Sequence, residues 1–271
     1  MDNRICYVTS YLDIGRNKWN DFQRSHDYYF HCFQKFLNLF QTTEYDSHYL
    51  VIFMDTQFCQ KLEKMMNTKC ENIKIIPISE EYLHQHSILW QRFDREKEIM
   101  ESEYYQNIIR HRIHHPEHCV PKYTLINHCK IDLMSIAIDT LPIYNYFCWV
   151  DFGYCHDNAP LPEHSLDVNK LNKDCVNYTL IHPIQEEDKD IMYTLVNAPF
   201  NIGGFFFFGN KSRLKEYQAL YHVVHENFQA QGLVDDDQHL ALRCYIERPT
   251  LFAMHHLGWF HLALQHFQRD V

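Results

Sequence analysis

The chain has 271 residues, of which 46% are hydrophobic and 22% charged, and it carries a formal net charge of -10. That length supports one large core, or a core with a small subdomain, and an acidic balance without a Lys/Arg cluster argues against nucleic acid as a partner. No apolar run approaches the ~18 residues of a membrane span, so any membrane association would be peripheral. The ten cysteines are scattered without a C-x-x-C pair. With no signal peptide in evidence they read as reduced thiols of a cytoplasmic protein. The 15% aromatic content suits a Phe/Tyr-rich core, and equally the walls of a sugar or base pocket.

Residues 4–10 read as a buried first strand, followed by a loop, Tyr11 to Arg16, with turn chemistry. A helix is expected around Tyr29 to Phe40, and a strand over 49–54 that ends on Asp55. A short helix follows over 57–66, then a strand from Ile73 to Ile78. Strand, helix, strand, helix, strand is the signature of a parallel sheet with crossover helices. Ser79 to Arg112 is helical and strongly charged, with Pro116 and Pro121 as terminators. Tyr123 to Thr140 reads as one helix, stopped by Pro142. An apolar strand from Tyr146 then ends in Asp151 and Gly153. Residues 155–175 read as loop, and Ile202 to Gly209 as another buried strand. Ser212 opens a helix whose apolar residues Leu214, Tyr217, Tyr221, Val224 and Phe228 recur at three and four. Gly232 is its stop. There is no repeat or linker, so the chain is expected to be a single α/β domain, 1–271, built on a mostly parallel Rossmann-like sheet.

Trp149-Val150-Asp151-Phe152-Gly153 is the sharpest motif. Ligands of open α/β sheets bind at the carboxyl ends of strands. An Asp emerging there can reach a diphosphate-bound Mg²⁺ or Mn²⁺, or simply cap a turn. Gly153 permits close approach of a ligand. Asn127 and Lys130, three apart, share a face of the expected helix, where the lysine meets either a phosphate or solvent. Gly203-Gly204 inside a strand marks a bulge or a close approach. Asp235-Asp236-Asp237-Gln238 opens the next helix. Asp235 with Gln238 fits a capping box, yet three adjacent carboxylates exceed what one cap requires, and a metal or a reacting proton would relieve their repulsion. The histidines at 111, 114, 115 and 118 read as a solvated helix end, since they lack a zinc spacing. His256 and Gly258-Trp259 follow the acidic motif in an expected closing loop.

Together these stretches resemble the HtrL/YibB family: Tyr7-Val-Thr-Ser-Tyr-Leu-Asp-Ile-Gly-Arg16, Trp19, Phe53-Met-Asp55, the Asn127–Lys130 helix, Trp149-Val-Asp-Phe-Gly-Tyr154, Gly203 to Gly209 and Asp235-Asp-Asp-Gln238. The likeness runs over most of the chain. That family is linked mainly to lipopolysaccharide gene clusters. The layout is also similar to the GT-A class of nucleotide-sugar transferases, where an Asp-x-Asp at a strand end holds Mn²⁺ and the donor diphosphate, and a C-terminal His sometimes completes the metal shell. This chain has Gly153 at the second acid's place, so Asp151 would need His256, an acid such as Asp157, or water.

The resemblance implies a glycosyltransferase that moves a sugar from a UDP- or GDP-linked donor to a glycan or lipopolysaccharide-type acceptor. Residues 1–150 would form its nucleotide-binding half and 151–271 its acceptor-binding half. Thr9, Ser10, Asp13, Arg16, Lys130, Asp151 and Gly153 would hold the donor, with Asp151 and His256 on Mn²⁺ or Mg²⁺. Asn127, Gly203, Gly204, Asp235, Gln238 and Trp259 would contact substrate, and Asp236 or Asp237 would act on the acceptor hydroxyl. Its location would be cytoplasmic, at most peripheral to the inner face of a membrane. The alternatives are a metal-dependent phosphoester hydrolase and a non-catalytic nucleotide-binding protein.

Overall fold

In a computed structural model, residues 3–66, 71–156, 161–257 and 262–269 are described. The chain opens with β1 (Ile5–Tyr11), α1 (His26–Leu39), β2 (Tyr49–Asp55), α2 (Cys59–Met65) and β3 (Ile73–Ile78). α3 (Glu80–His86), α4 (Phe93–Glu101), α5 (Glu103–Ile108), α6 (Pro116–Cys119), α7 (Pro121–His128) and α8 (Lys130–Thr140) lead to β4 (Tyr146–Val150). β5 (Val176–Leu180), α9 (Ile191–Asn197), β6 (Ile202–Asn210), α10 (Lys211–Ala230), α11 (Asp237–Glu247), β7 (Phe252–His256) and α12 (Leu262–His266) complete the described elements.

The strands form one sheet in the order β3-β2-β1-β4-β6-β5-β7. Every pairing is parallel except those of β6, which runs against β4 and β5. The fold is therefore α/β with a mostly parallel mixed sheet, as the alternation of strand and helix signals predicts. β1 is buried along nearly all its length, as a strand covered on both faces must be. Its side chains alternate between two cores. Cys6 and Val8 join Phe147, Trp149 and the helical residues Leu133 and Tyr221. Ile5 and Tyr7 join Phe33, Phe36 and Val150. Among the described residues no helix is long and apolar enough to cross a membrane.

Several local expectations are corrected. The charged stretch from Ser79 is not one helix. Ser79 caps α3, the chain passes an extended Ser87, and Ser102 restarts it by capping α5. Pro116 and Pro121 open α6 and α7 rather than ending a helix, because a missing N–H costs nothing at a helix's first position. The expected 123–140 helix is two, joined at Cys129. α10 is capped by Asn210, whose side chain accepts from the Arg213 N–H, so Ser212 lies inside the helix. Gly232 does follow α10, at φ 70. His118 of the supposed solvated run is buried, with Nδ1 2.6 Å from the Tyr105 hydroxyl. His255 and His256 lie on β7, not in a loop.

Candidate functional site

From β1 the chain builds β2 and β3 on one side of the sheet, then returns to lay β4 on the other. The loops leaving β1 and β4 therefore diverge, and a crevice opens outside the strands' carboxyl ends. A cleft of about 390 Å³ lies there, within the size range of small-molecule sites. The loop after β1, α7, the start of α8, Asp151 to Tyr154, the glycine end of β6 and the start of α11 line it.

The loop after β1 is held by its own polar groups. The Asp13 N–H donates to Asp55 Oδ2 at 3.1 Å, and the Gly15 N–H donates to Asp13 Oδ1 at 2.8 Å. Gly15 has φ 79, a left-handed conformation that glycine adopts without a Cβ penalty. Arg16 follows. Its guanidinium donates to the Tyr29 hydroxyl at 2.8 Å and to the Phe22 carbonyl at 2.9 Å. It also lies over the rings of Trp19 and Tyr123, at 5.6 and 5.4 Å. Phe22, which accepts that bond, has φ 58, strained for a bulky residue. Arg16 is thus oriented before any ligand arrives.

Opposite stands a lysine among carboxylates. Lys130 begins α8, where the helix dipole disfavours a cation, and its side chain is buried. Its ammonium lies 3.0 Å from Asp151 Oδ1 and 2.8 Å from Asp237 Oδ2, and donates to the Gly204 carbonyl at 3.0 Å. Burial works to lower its pKa, but the charges of Asp151 and Asp237 outweigh it and raise the pKa above the ordinary value. Asp151 Oδ1 also accepts from the Trp149 indole at 2.7 Å. The middle residue of Asp-Phe-Gly is the anchor. Phe152 stacks on Phe33 of α1 at 4.1 Å with planes 11° apart, and the Asp151 N–H donates to Phe205 O at 3.0 Å. Burial raises the Asp237 carboxyl to about 6, against the pull of Lys130 and with help from Asp236 and Asp151.

The acidic run divides its labour differently from the capping-box reading. Asp236, not Asp235, is the N-cap of α11, and its Oδ1 accepts from the N–H groups of Gln238 and His239 at 3.1 and 3.0 Å. Asp235 is buried and forms an ion pair with His239, Oδ2 to Nδ1 2.9 Å. Burial alone would lower the His239 pKa, but Asp235 and Asp236 drive it up to about 10.

Of the expected residues, Ser10, Asp13, Arg16, Asn127, Lys130, Asp151, Gly153, Gly204, Asp236, Asp237 and Gln238 line the cleft. Thr9 is not among its lining residues, and is buried within β1. Gly203 is absent from the wall too. A Cβ there would lie 2.2 Å from Phe205 and 2.5 Å from Thr179, so its bareness serves core packing where the β5–β6 register is irregular. Gly204 makes room for Asp237, whose Oδ2 would be 2.6 Å from an added Cβ. Asn127 and Lys130 reach one wall from two successive helices. Trp259 and Asp157 lie outside the described residues.

The metal pair Asp151 and His256 is not brought together. His256 is exposed at the end of β7, with β6 and β5 between β7 and β4, and it does not line the cleft. Asp151 and Asp237 already hold an ammonium, so the expected metal does not fit them. A second set, Asp235, Asp236 and His239, borders the cleft with ligand atoms within 4.8 Å of one another. The His239 Nε2–H faces the Pro199 carbonyl at 3.2 Å, and its Nδ1 lies between two carboxylates, where the raised pKa keeps a proton.

The sequence reading missed Arg24, His26, Tyr29 and Tyr123, all on the cleft wall. The available signal was Ser25, whose hydroxyl caps α1 and so sets Arg24 and His26 at a helix entrance.

Residues 3–268 match the family described as "Bacterial protein of unknown function (HtrL_YibB)". The chain is 26% identical over 279 residues to Protein HtrL of Escherichia coli (strain K12), an alignment that covers 97% of this chain and 92% of that protein. The chain belongs to the HtrL_YibB family.

Proposed function

We propose that the chain is a glycosyltransferase that moves a sugar from a UDP- or GDP-linked donor to a glycan or lipopolysaccharide-type acceptor. The observation that carries this reading is the two-sided cleft at the switch point of the sheet, with Arg16 and Arg24 on the β1 side and Asp236 and the Lys130 cluster on the other. The guanidinium groups suit a nucleoside diphosphate, because arginine matches phosphate geometry with paired donors. They would stabilise the charge that develops on the departing diphosphate. Asp13 lines the same cleft and would accept hydrogen bonds from ribose hydroxyls. Asp236 is the better base of the two acids proposed for that role, since Asp237 is committed to Lys130. Its second oxygen would accept the acceptor's proton as the new glycosidic bond forms. On this reading the chain would work in the cytoplasm, where such donors are made.

The test is thermal-shift screening against UDP, GDP, CMP and their sugars, followed by product analysis with and without acceptors. A ligand that binds only the folded state at a hundred times its dissociation constant adds about 2.7 kcal/mol. Asp236→Asn is expected to lower turnover at least ~100-fold, or about 2.7 kcal/mol of transition-state stabilisation, with donor response unchanged. Sugar released as free phosphate ester, with no transfer to any acceptor, would instead favour a hydrolase.

A further inference from the structure

We propose that Lys130 is the resident cation of this cleft, holding the seat between Asp151 and Asp237 that a divalent metal would occupy, so that a nucleoside diphosphate binds here without Mn²⁺ or Mg²⁺. The diphosphate part rests on the transferase reading above. The cation part rests on geometry alone.

An ammonium has three N–H donors and no acceptor. Those of Lys130 meet three acceptor groups, Asp151 Oδ2 at 3.2 Å, Asp237 Oδ2 at 2.8 Å and the Gly204 carbonyl at 3.0 Å. All three are oxygens of the kind a hard divalent ion selects, and they surround a single point that Nζ already fills. A metal bonded to Asp151 and Asp237 would have to displace the ammonium. The lysine has no ready exit, because it is 7% exposed and buried cations need their partners.

The neighbouring groups close off other seats. Asp151 Oδ1 also takes the Trp149 indole N–H at 2.7 Å. Gly153 stands where a second acid would be, and a Cβ there would press on the Tyr29 ring at 3.3 Å. Asp236 Oδ1 caps α11, and Asp235 is paired with His239. Gly204 locks the arrangement, since only a bare backbone lets Asp237 approach Lys130 from that side. One ammonium against two carboxylates leaves this wall with a net negative charge. The diphosphate therefore belongs on Arg16 and Arg24 across the cleft, and Lys130 fixes the two acids instead of bridging them to phosphate.

The experiment titrates Mn²⁺ into wild type, Asp151→Asn and Lys130→Met, following free Mn²⁺ by electron paramagnetic resonance. In parallel, the thermal shift with UDP and GDP is measured in EDTA and in Mn²⁺. The expected result is no Mn²⁺ uptake by wild type at millimolar concentration, and nucleotide shifts that are equal in EDTA and Mn²⁺. Lys130→Met, with a circular dichroism spectrum like wild type, should bind Mn²⁺ at least tenfold more tightly than wild type does. Wild-type uptake that Asp151→Asn abolishes would overturn the proposal, as would a nucleotide shift that EDTA removes. A folded Lys130→Met that takes up no Mn²⁺ would equally overturn the shared seat. The wild-type titration decides even if Lys130→Met does not fold. If neither nucleotide shifts the protein in either buffer, the transferase reading fails, while the Mn²⁺ titration still judges Lys130.

Discussion

The Asp237 carboxylate occupies the space that a side chain on Gly204 would need, with Oδ2 2.6 Å from the position of an added Cβ. Glycine 204 is therefore a packing requirement of the Lys130 cluster. Gly204→Ala should push Asp237 away from Lys130 and leave a buried ammonium with a weakened partner. Overpacking of this kind costs about 1–3 kcal/mol. Urea denaturation of Gly204→Ala measures it, and a midpoint equal to wild type would show that α11 shifts freely.

The Asp235–His239 pair makes stability depend on alkaline pH. The folded-state pKa of His239 is raised to about 10, above the ~6.5 of an unfolded histidine. Its contribution is therefore complete below about pH 6.5 and is lost as pH rises through about 10. The stability gap between wild type and His239→Gln should be on the order of a few kcal/mol at pH 6 and shrink steadily towards pH 10. Denaturation curves at pH 6, 8 and 10 read this directly. A gap that stays constant would mean the ring is held neutral.

Acid should act through other histidines. Burial lowers His48 to about 4, and His118 and His128 to about 3. These rings fold neutral, so their contribution is present above about pH 6.5 and is lost as pH falls towards those values. Each should remove about 1.4 kcal/mol per pH unit over that interval. Urea midpoints taken every half unit from pH 7 to 4.5 should fall steeply, and His118→Asn should flatten the slope by one histidine's share, about 1.4 kcal/mol per pH unit. An unchanged slope would show that His118 takes up no proton on unfolding.

The strand–helix alternation and the continuous apolar runs of β1, β2 and β4 determined a parallel, doubly covered sheet, since a strand without polar alternation has no face for water. They also placed Asp151 at a strand end and the acids at a helix start, which local periodicity suffices to show. Tertiary structure decided the rest. Whether Asp235 or Asp236 caps α11 depends on His239, which draws Asp235 into the core; a capping pattern read along the chain contains no such pull. β5 exists through its pairing with β6 and β7, and β7 through its pairing with β5, a long-range condition that short runs of mixed polarity do not announce. Lys130 looked equally suited to phosphate or solvent until α8, β4, β6 and α11 brought two carboxylates and a carbonyl around it. An ammonium's role is set by the oxygens that reach it, and those lie 21, 74 and 107 residues away along the chain.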